Sequence, residues 1–373
     1  MKPSAAAWRT TLLLLLACSL LTGCYGFKDI DKRFFVVAIG VDPGERHAYK
    51  VMLKLAIPGP QEKFGSNPAL IVEEEADTVA EAVRIMKGKV DKEFDFGHAK
   101  AIILGDKLLD ANIPLPVMMD WFMRRRDIQL VSWTGIGYPD AYSILQASPR
   151  SERLPSNMLF LFFGAAGTET GYVVSEYLYD FRRRMMERGL DPIMPIIRLR
   201  TGDQLNITTM SIFDKEHRRF NLSAEETKIF NSFYNSTIEK VDIAFEENGR
   251  RIVMSVDQLS ANFDVKQTPD GAYTLLAGLK IHGIIEESQT PIAESHLPEL
   301  EKLVEAAVRE RTLALLRKFQ AAGVDPIGFG LKYRASQRVD QAAWERWQHS
   351  LYAGAVIEVT SKVNIRSPGI IIN

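Results

Sequence analysis

Apolar positions along the chain change their period several times, and each change predicts an element. Phe34 to Val41 (FFVVAIGV) is almost unbroken, the pattern of a strand covered on both faces, and Asp42-Pro43-Gly44 predicts a turn. Tyr49, Val51, Leu53, Leu55 and Ile57 then alternate with Lys50 and Lys54, as in a strand with one wetter face. Pro58-Gly59-Pro60 ends that run, and the polar stretch behind it, including Glu73-Glu74-Glu75, reads as a solvated loop. Thr78 and Glu81 form a capping-box pair ahead of Val79, Ala82, Val83, Met86 and Val90 at helical spacing. Lys100 to Leu104 reads as a strand, Pro114 to Arg124 as a helix and Gln129 to Gly135 as a strand.

From Tyr138 to Arg188 the pattern turns helical, with Pro149 and Pro155 as breaks. Tyr172 to Arg188 is the clearest helix there, stopped by Gly189, and Ile196 to Phe213 returns to strand-like sequence. Met158 to Phe163 (MLFLFF) fits either a core helix or a partner-docking face. In the last third Val241, Ile243 and Phe245 alternate up to Asn248-Gly249, a hairpin turn that tolerates positive φ. Ile252, Met254 and Val256 answer on the return, and a change of phase near Asp257 predicts a bulge or a new strand. Tyr273 to Ile285 is a further strand. Pro298 to Ala322 is a helix of about 38 Å with Gly323 just past its end. Ala355 to Ile365 alternates as a closing strand with one buried face. The expected fold is α+β in three domains, each a mainly antiparallel or mixed sheet packed with helices. The boundaries fall at 24–136, a helix-rich 137–213, and 214–373 with the long helix 298–322.

The first 23 residues fit a processing signal better than a fold. Lys2 and Arg9 give a positive start, and Leu12 to Leu16 open an apolar run that is short for a bilayer span of about 20 residues. Leu21-Thr22-Gly23-Cys24 resembles the bacterial lipobox, which makes Cys24 the expected lipidation site. A cut before Cys18 and an uncleaved anchor helix are the alternatives. Two acyl chains on one cysteine suffice for stable anchoring, so a lipid-anchored protein on the outer face of a cytoplasmic membrane is expected.

Composition narrows the chemistry. The chain has two cysteines, Cys18 and Cys24, so cleavage before Cys24 leaves neither a disulfide nor a thiolate nucleophile. With 46 basic and 47 acidic side chains, loss of Lys2 and Arg9 leaves 44 against 47, which gives no electrostatic case for nucleic acid. The histidines at 47, 98, 217, 282, 296 and 349 show no zinc-ligand spacing. His98 fits a hydrogen-bonding role at a strand edge. No Gly-x-Ser-x-Gly elbow or P-loop occurs, and Gly328-Phe329-Gly330 suits backbone geometry better than a phosphate cradle. Arg124-Arg125-Arg126 and Arg182-Arg183-Arg184 read as solvated helix ends, or as contacts to anionic headgroups or an acidic partner loop. No enzyme activity, catalytic residue, cofactor or metal is expected.

Several blocks, taken in order, resemble the Ger(x)C spore germination proteins. They are Lys28-Asp29-Ile30-Asp31 behind the lipobox, with Tyr25 where the family usually has Trp, then Ala38-Ile39-Gly40-Val41-Asp42 with Tyr49-Lys50-Val51, and Gly97-His98-Ala99-Lys100 leading into Ile102-Ile103-Leu104-Gly105. Arg126-Asp127, Ile144-Leu145, Asp191-Pro192-Ile193-Met194-Pro195 and Val324 to Gly330 follow, then Trp344, Trp347 and Val363 to Gly369. Pro326 and Leu351-Tyr352-Ala353-Gly354 depart from the family pattern. The resemblance implies the lipoprotein C subunit of a nutrient germinant receptor on the spore inner membrane. It also implies membrane-embedded A and B subunits as partners. A solute-binding lipoprotein of a membrane transporter and an exported hydrolase are the competing readings. Neither the hairpin-rich pattern nor the missing motifs favour them.

Overall fold

The computed structural model describes Trp8, residues 32–56, 69–111, 113–147, Phe163, 170–235 and 241–369. The chain divides into two compact units, Met1–Arg33 and Phe34–Asn373. Cys24, the lipobox and the expected signal peptide lie outside the described residues, as does Met158 to Phe163 apart from Phe163 itself.

Two sheets organise the second unit. The larger takes its strands in the order β3 (Ala69–Ala76), β2 (Tyr49–Ala56), β1 (Arg33–Pro43), β5 (Ala101–Gly105), β6 (Trp133–Tyr138), β7 (Ile193–Leu199), β8 (Leu205–Phe213) and β9 (Arg218–Leu222). The short β4 (Glu93–Asp95) pairs with β1. Its centre, β1-β5-β6-β7, is parallel, and antiparallel pairs flank it on both sides. All five residues of β5 are buried, because helices cover both faces. Ile102 and Leu104 point towards α1 (Val79–Lys87), α2 (Leu115–Arg124) and α4 (Leu178–Met186). Ala101 and Ile103 point the other way, into a cluster with Trp133, Phe163 and Ala141, Ile144 and Leu145 of α3 (Ala141–Gln146). The expected boundary at 136/137 falls within β6, and that at 213/214 falls at the end of β8.

The second sheet has the order β10 (Val241–Glu247), β11 (Arg250–Gln267), β12 (Tyr273–Ser288), β13 (Val356–Ile365). Asn248 and Gly249 turn the first hairpin with φ of 51° and 74°. The change of phase at Asp257 is a register shift between Val256 and Gln258 against β12. β12 and β13 are parallel, and their crossover carries the long helix α6 (Leu297–Ala321). Leu300, Val304, Val308, Leu315, Leu316 and Phe319 line its buried face. Glu305 and Glu301 of α6 accept from the backbone N–H groups of Val363 (3.0 Å) and Ile365 (2.8 Å), so two donors near the end of the edge strand are occupied.

The polar run Glu73-Glu74-Glu75 is not a loop but the middle of edge strand β3. Glu73 pairs with Lys50 at 2.9 Å, Glu74 with Lys89, and Glu75 accepts the amides of Glu45 and Arg46 at 3.2 and 3.1 Å. The helix expected over Tyr172 to Arg188 is confined to Leu178–Met186. Its first half is extended instead, and the amide of Thr134 donates to the Glu176 carbonyl (2.9 Å). β9 and α5 (Ala224–Tyr234) had no strong apolar period to announce them. α5 is fixed by a complete Ser223/Glu226 capping box and by Phe230 packed edge-on against Phe319 at 6.3 Å.

Candidate functional site

Two blocks far apart in sequence meet where the larger sheet joins the C-terminal helices. Asp191 opens the run into β7, and Asp325 follows the end of α6. The Asp191 amide donates to the Asp325 carbonyl (2.9 Å), and the Asp325 amide returns a bond to Asp191 Oδ2 (2.6 Å). Asp325 is buried, and its two carboxylate oxygens accept from the amides of Gly328 (2.8 Å) and Gly330 (2.6 Å). This holds the turn into α7 (Phe329–Ser336), where Gly328 takes φ of 103°, a value open to glycine at little cost. Gly328-Phe329-Gly330 is therefore a backbone device: a Cβ on Gly330 would sit 2.5 Å from Gly189 Cα and 3.2 Å from the Trp344 and Trp347 rings.

Lys215, in the β8–β9 connection, closes the joint. Its Nζ donates to the carbonyls of Arg184, Glu187 (2.8 Å) and Leu190, and lies 3.3 Å from Asp191 Oδ1. A pocket of about 450 Å³ opens beside these residues, lined among others by Arg188, Gln341, Trp344 and His349. Burial raises the pKa of the Asp325 carboxyl to about 7 against the lowering effect of the glycine amides, and raises Asp191 despite Lys215. Burial also lowers Lys215, with Asp191 opposing it.

A second polar cluster extends the joint. Glu176, 0% exposed, lies 3.3 Å from Arg184 Nε as an ion contact without an aligned hydrogen bond. Tyr234 of α5 reaches Glu176 Oε2 (2.9 Å) and the Ser175 carbonyl (2.8 Å). Arg184 Nη1 donates to the carbonyls of Asp191 (3.1 Å) and Pro326 (3.0 Å). Burial lifts Glu176 to about 7, with the Arg184 charge and the Tyr234 bond acting against it.

The Arg182-Arg183-Arg184 run therefore divides: Arg183 pairs with Asp180 (3.3 Å), whereas Arg184 is a buried tie and not a solvated helix end. Arg124 pairs with Asp120 (2.7 Å), and Arg125 lies with Asp127 and over the Phe96 and Trp121 rings. His98 ends a short turn, Phe96–His98, and meets the Phe35 ring at 4.8 Å. His47 contacts Asp77 (3.2 Å), and His296 sits between Glu247 (2.7 Å) and Glu299 (2.9 Å). Among the described residues no group of three or more His, Cys, Asp or Glu could hold a metal ion. No helix among them is long and apolar enough to cross a membrane.

At the opposite end of the parallel strands, Asp42 of β1 accepts from the amides of Ala141 (2.8 Å) and Tyr142 (3.0 Å) and so caps α3. A Cβ on Gly105 would lie 1.8 Å from Asp42 Oδ1. The blocks at 38–42, 97–105 and 144–145 thus converge on one helix cap, and those at 191–195 and 324–330 on the aspartate joint. Lys215, Glu176 and Tyr234 were missed by sequence reasoning, because single polar residues in ordinary surroundings carry no periodic signal. In both places the polar groups are consumed by bonds to backbone, which fixes segments against each other. Lys215 lies beside Asp191, but its ammonium donates to the carbonyls of Arg184, Glu187 and Leu190, so it acts as a tie within a joint between the two halves of the chain.

Comparisons with known proteins match two regions of the chain, which meet between β7 and β8 of the larger sheet. Residues 26–199 match the family model "Spore germination protein N-terminal domain", and residues 208–369 match "Spore germination B3/ GerAC like, C-terminal". The chain is 20% identical to spore germination protein KC of Bacillus subtilis (strain 168), over 96% of this chain and 95% of that protein. It is 21% identical to spore germination protein B3 of the same organism, over 85% of each. The crystal structure of the GerBC protein superposes with a TM-score of 0.57 at 15% identity, covering 88% of this chain and 97% of that one. That likeness concerns the fold.

Proposed function

Since this chain belongs to the Ger(x)C family of spore germination proteins, we propose that it is a non-enzymatic lipoprotein subunit of a nutrient germinant receptor, needed for assembly or signalling of the receptor in the spore membrane. The observation that carries the reading is the order of features along one chain. A lipobox ending at Cys24 is followed by both family regions, 26–199 and 208–369. Lipid on Cys24 holds the folded unit at the outer face of the spore inner membrane, beside membrane-embedded A and B subunits. The aspartate joint suits such a role. Its polar groups are spent on bonds between the two family regions, so a displacement felt by one region is passed to the other as a rigid movement.

Substitution of Cys24 by alanine in the native spore-former tests the tether and the role together. The variant is expected to leave the membrane fraction and to abolish the response to one class of nutrient. A variant that stays membrane-bound and responds normally contradicts the reading.

A further inference from the structure

Parallel strands begin along a common edge, and in this fold that edge is also where the chain enters. Ala38 of β1 lies beside Ala101 of β5, which lies beside Trp133 of β6. Below that level the amide of Lys100 donates to the Val37 carbonyl (2.8 Å), and that of Trp133 to the Lys100 carbonyl (2.8 Å). The amides of Leu178 and Tyr179 continue the row to Ser132 (2.8 Å) and Leu130 (3.0 Å). The start of β1, the segment before β6 and the first turn of α4 therefore share one edge.

Three apolar side chains face solvent on it: Leu130 (41% exposed), Val131 (56%) and Tyr179 (44%). Tyr179 is held by stacking on Tyr177 (5.4 Å), and Tyr177 on Trp133 (3.7 Å). Arg126, four residues before Leu130, and Arg182, one turn along α4 from Tyr179, are exposed. Neither has an ion-pair partner among the described residues, whereas Arg124, Arg125 and Arg183 are each paired with an aspartate. Lys92 lies over the Phe34 ring (5.5 Å).

Cys24 precedes Phe34 by ten residues, a reach of at most about 35 Å. We infer that this edge is a membrane-contacting face, with Leu130, Val131 and Tyr179 in the headgroup region and Arg126 and Arg182 on the phosphates of anionic lipids. The inference rests on the proposed lipid at Cys24. Tyrosine suits the interface, its ring apolar and its hydroxyl wet, and guanidinium matches phosphate. So small a patch binds weakly alone, but a tether turns its contact into an intramolecular event at high effective concentration.

The mature chain's one native cysteine is the acylated one, so Gln129→Cys supplies a unique thiol for an environment-sensitive fluorophore, and Val356→Cys on the second sheet supplies the control. The acylated full chain is reconstituted in vesicles of phosphatidylcholine alone or mixed equally with phosphatidylglycerol. Emission from position 129 is expected to rise severalfold in the mixed vesicles while position 356 stays at its aqueous level. Combining Leu130→Ser, Val131→Ser and Tyr179→Ser removes the rise, and Arg126→Gln with Arg182→Gln removes the difference between the two lipid mixtures. A chain that floats with the vesicles while position 129 stays aqueous overturns the membrane face and leaves the tether standing. A chain that does not float overturns the tether and the face with it. A rise seen in native membranes holding partner proteins, and absent from both vesicle types, assigns the edge to a protein contact and overturns the lipid assignment.

Discussion

Asp191 and Asp325 exchange hydrogen bonds across 134 residues of sequence, amide to carbonyl in one direction and amide to carboxylate in the other. A buried and a half-buried carboxylate so close tend to repel, and three features offset the repulsion: the Gly328 and Gly330 amides on Asp325, the Lys215 ammonium by Asp191, and the raised pKa of both acids. The pair ties a strand of the larger sheet to the turn behind the long helix, and the family regions meet there.

Replacing Asp325 by alanine strips two buried amides of their acceptor. Each such loss costs about 1–3 kcal/mol, so chemical denaturation of Asp325→Ala should show a clearly lowered midpoint. Asp191→Ala should cost less, because the backbone bond to the Asp325 carbonyl survives the substitution.

Gly330→Ala places a methyl group against Gly189 and two tryptophan rings. Overpacking of this kind costs about 1–3 kcal/mol. Gly354→Ala, where no atom lies within 4 Å of the new Cβ, should be close to neutral in the same thermal melt.

Above about pH 7, where Glu176 is ionised, removing the Arg184 side chain leaves that carboxylate buried without its cation. Breaking a buried pair from one side costs about 3–5 kcal/mol, so Arg184→Met should be among the most damaging single changes in the chain. Adding Glu176→Gln to it should restore much of the loss, and a double-mutant cycle measures how much.

The pH dependence has a definite sign. Glu176 and Asp325 titrate near 7 in the fold, and at ordinary values of 4.5 and 3.8 when unfolded. Between those limits the folded state holds the proton and the unfolded state does not. The stability these groups confer is therefore complete below about pH 4 and declines as pH rises to 7. The stability of the wild type relative to Glu176→Gln should fall across that window and then level off. A difference that rises with pH would show that Glu176 is ionised in the fold.

Much of the architecture was legible in the alternation of apolar and polar positions. β1, β2, β12, β13 and the long helix were readable because each buries one face or two along its whole length, and the bulge at Asp257 because it inverts the alternation. β3 was not, since an edge strand needs little apolar surface and Glu73, Glu74 and Glu75 satisfy lysines and amides instead. The Tyr172–Tyr177 segment lost its helical reading to the pairing of Tyr177 with Trp133, a tertiary contact that outweighs local propensity. At the joint, the motif blocks around Asp191 and Asp325 were visible as sequence, but that they touch was not. Nothing local in either block encodes a partner 134 residues away.

The central claim is that this chain serves a nutrient germinant receptor, and spores lacking it test that claim most directly. Germination of deletion spores, followed nutrient by nutrient as loss of optical density, should fail for one nutrient class, persist for non-nutrient triggers, and return when the intact gene is restored. A normal response to every nutrient, in a strain without a second receptor of the same specificity, would contradict it.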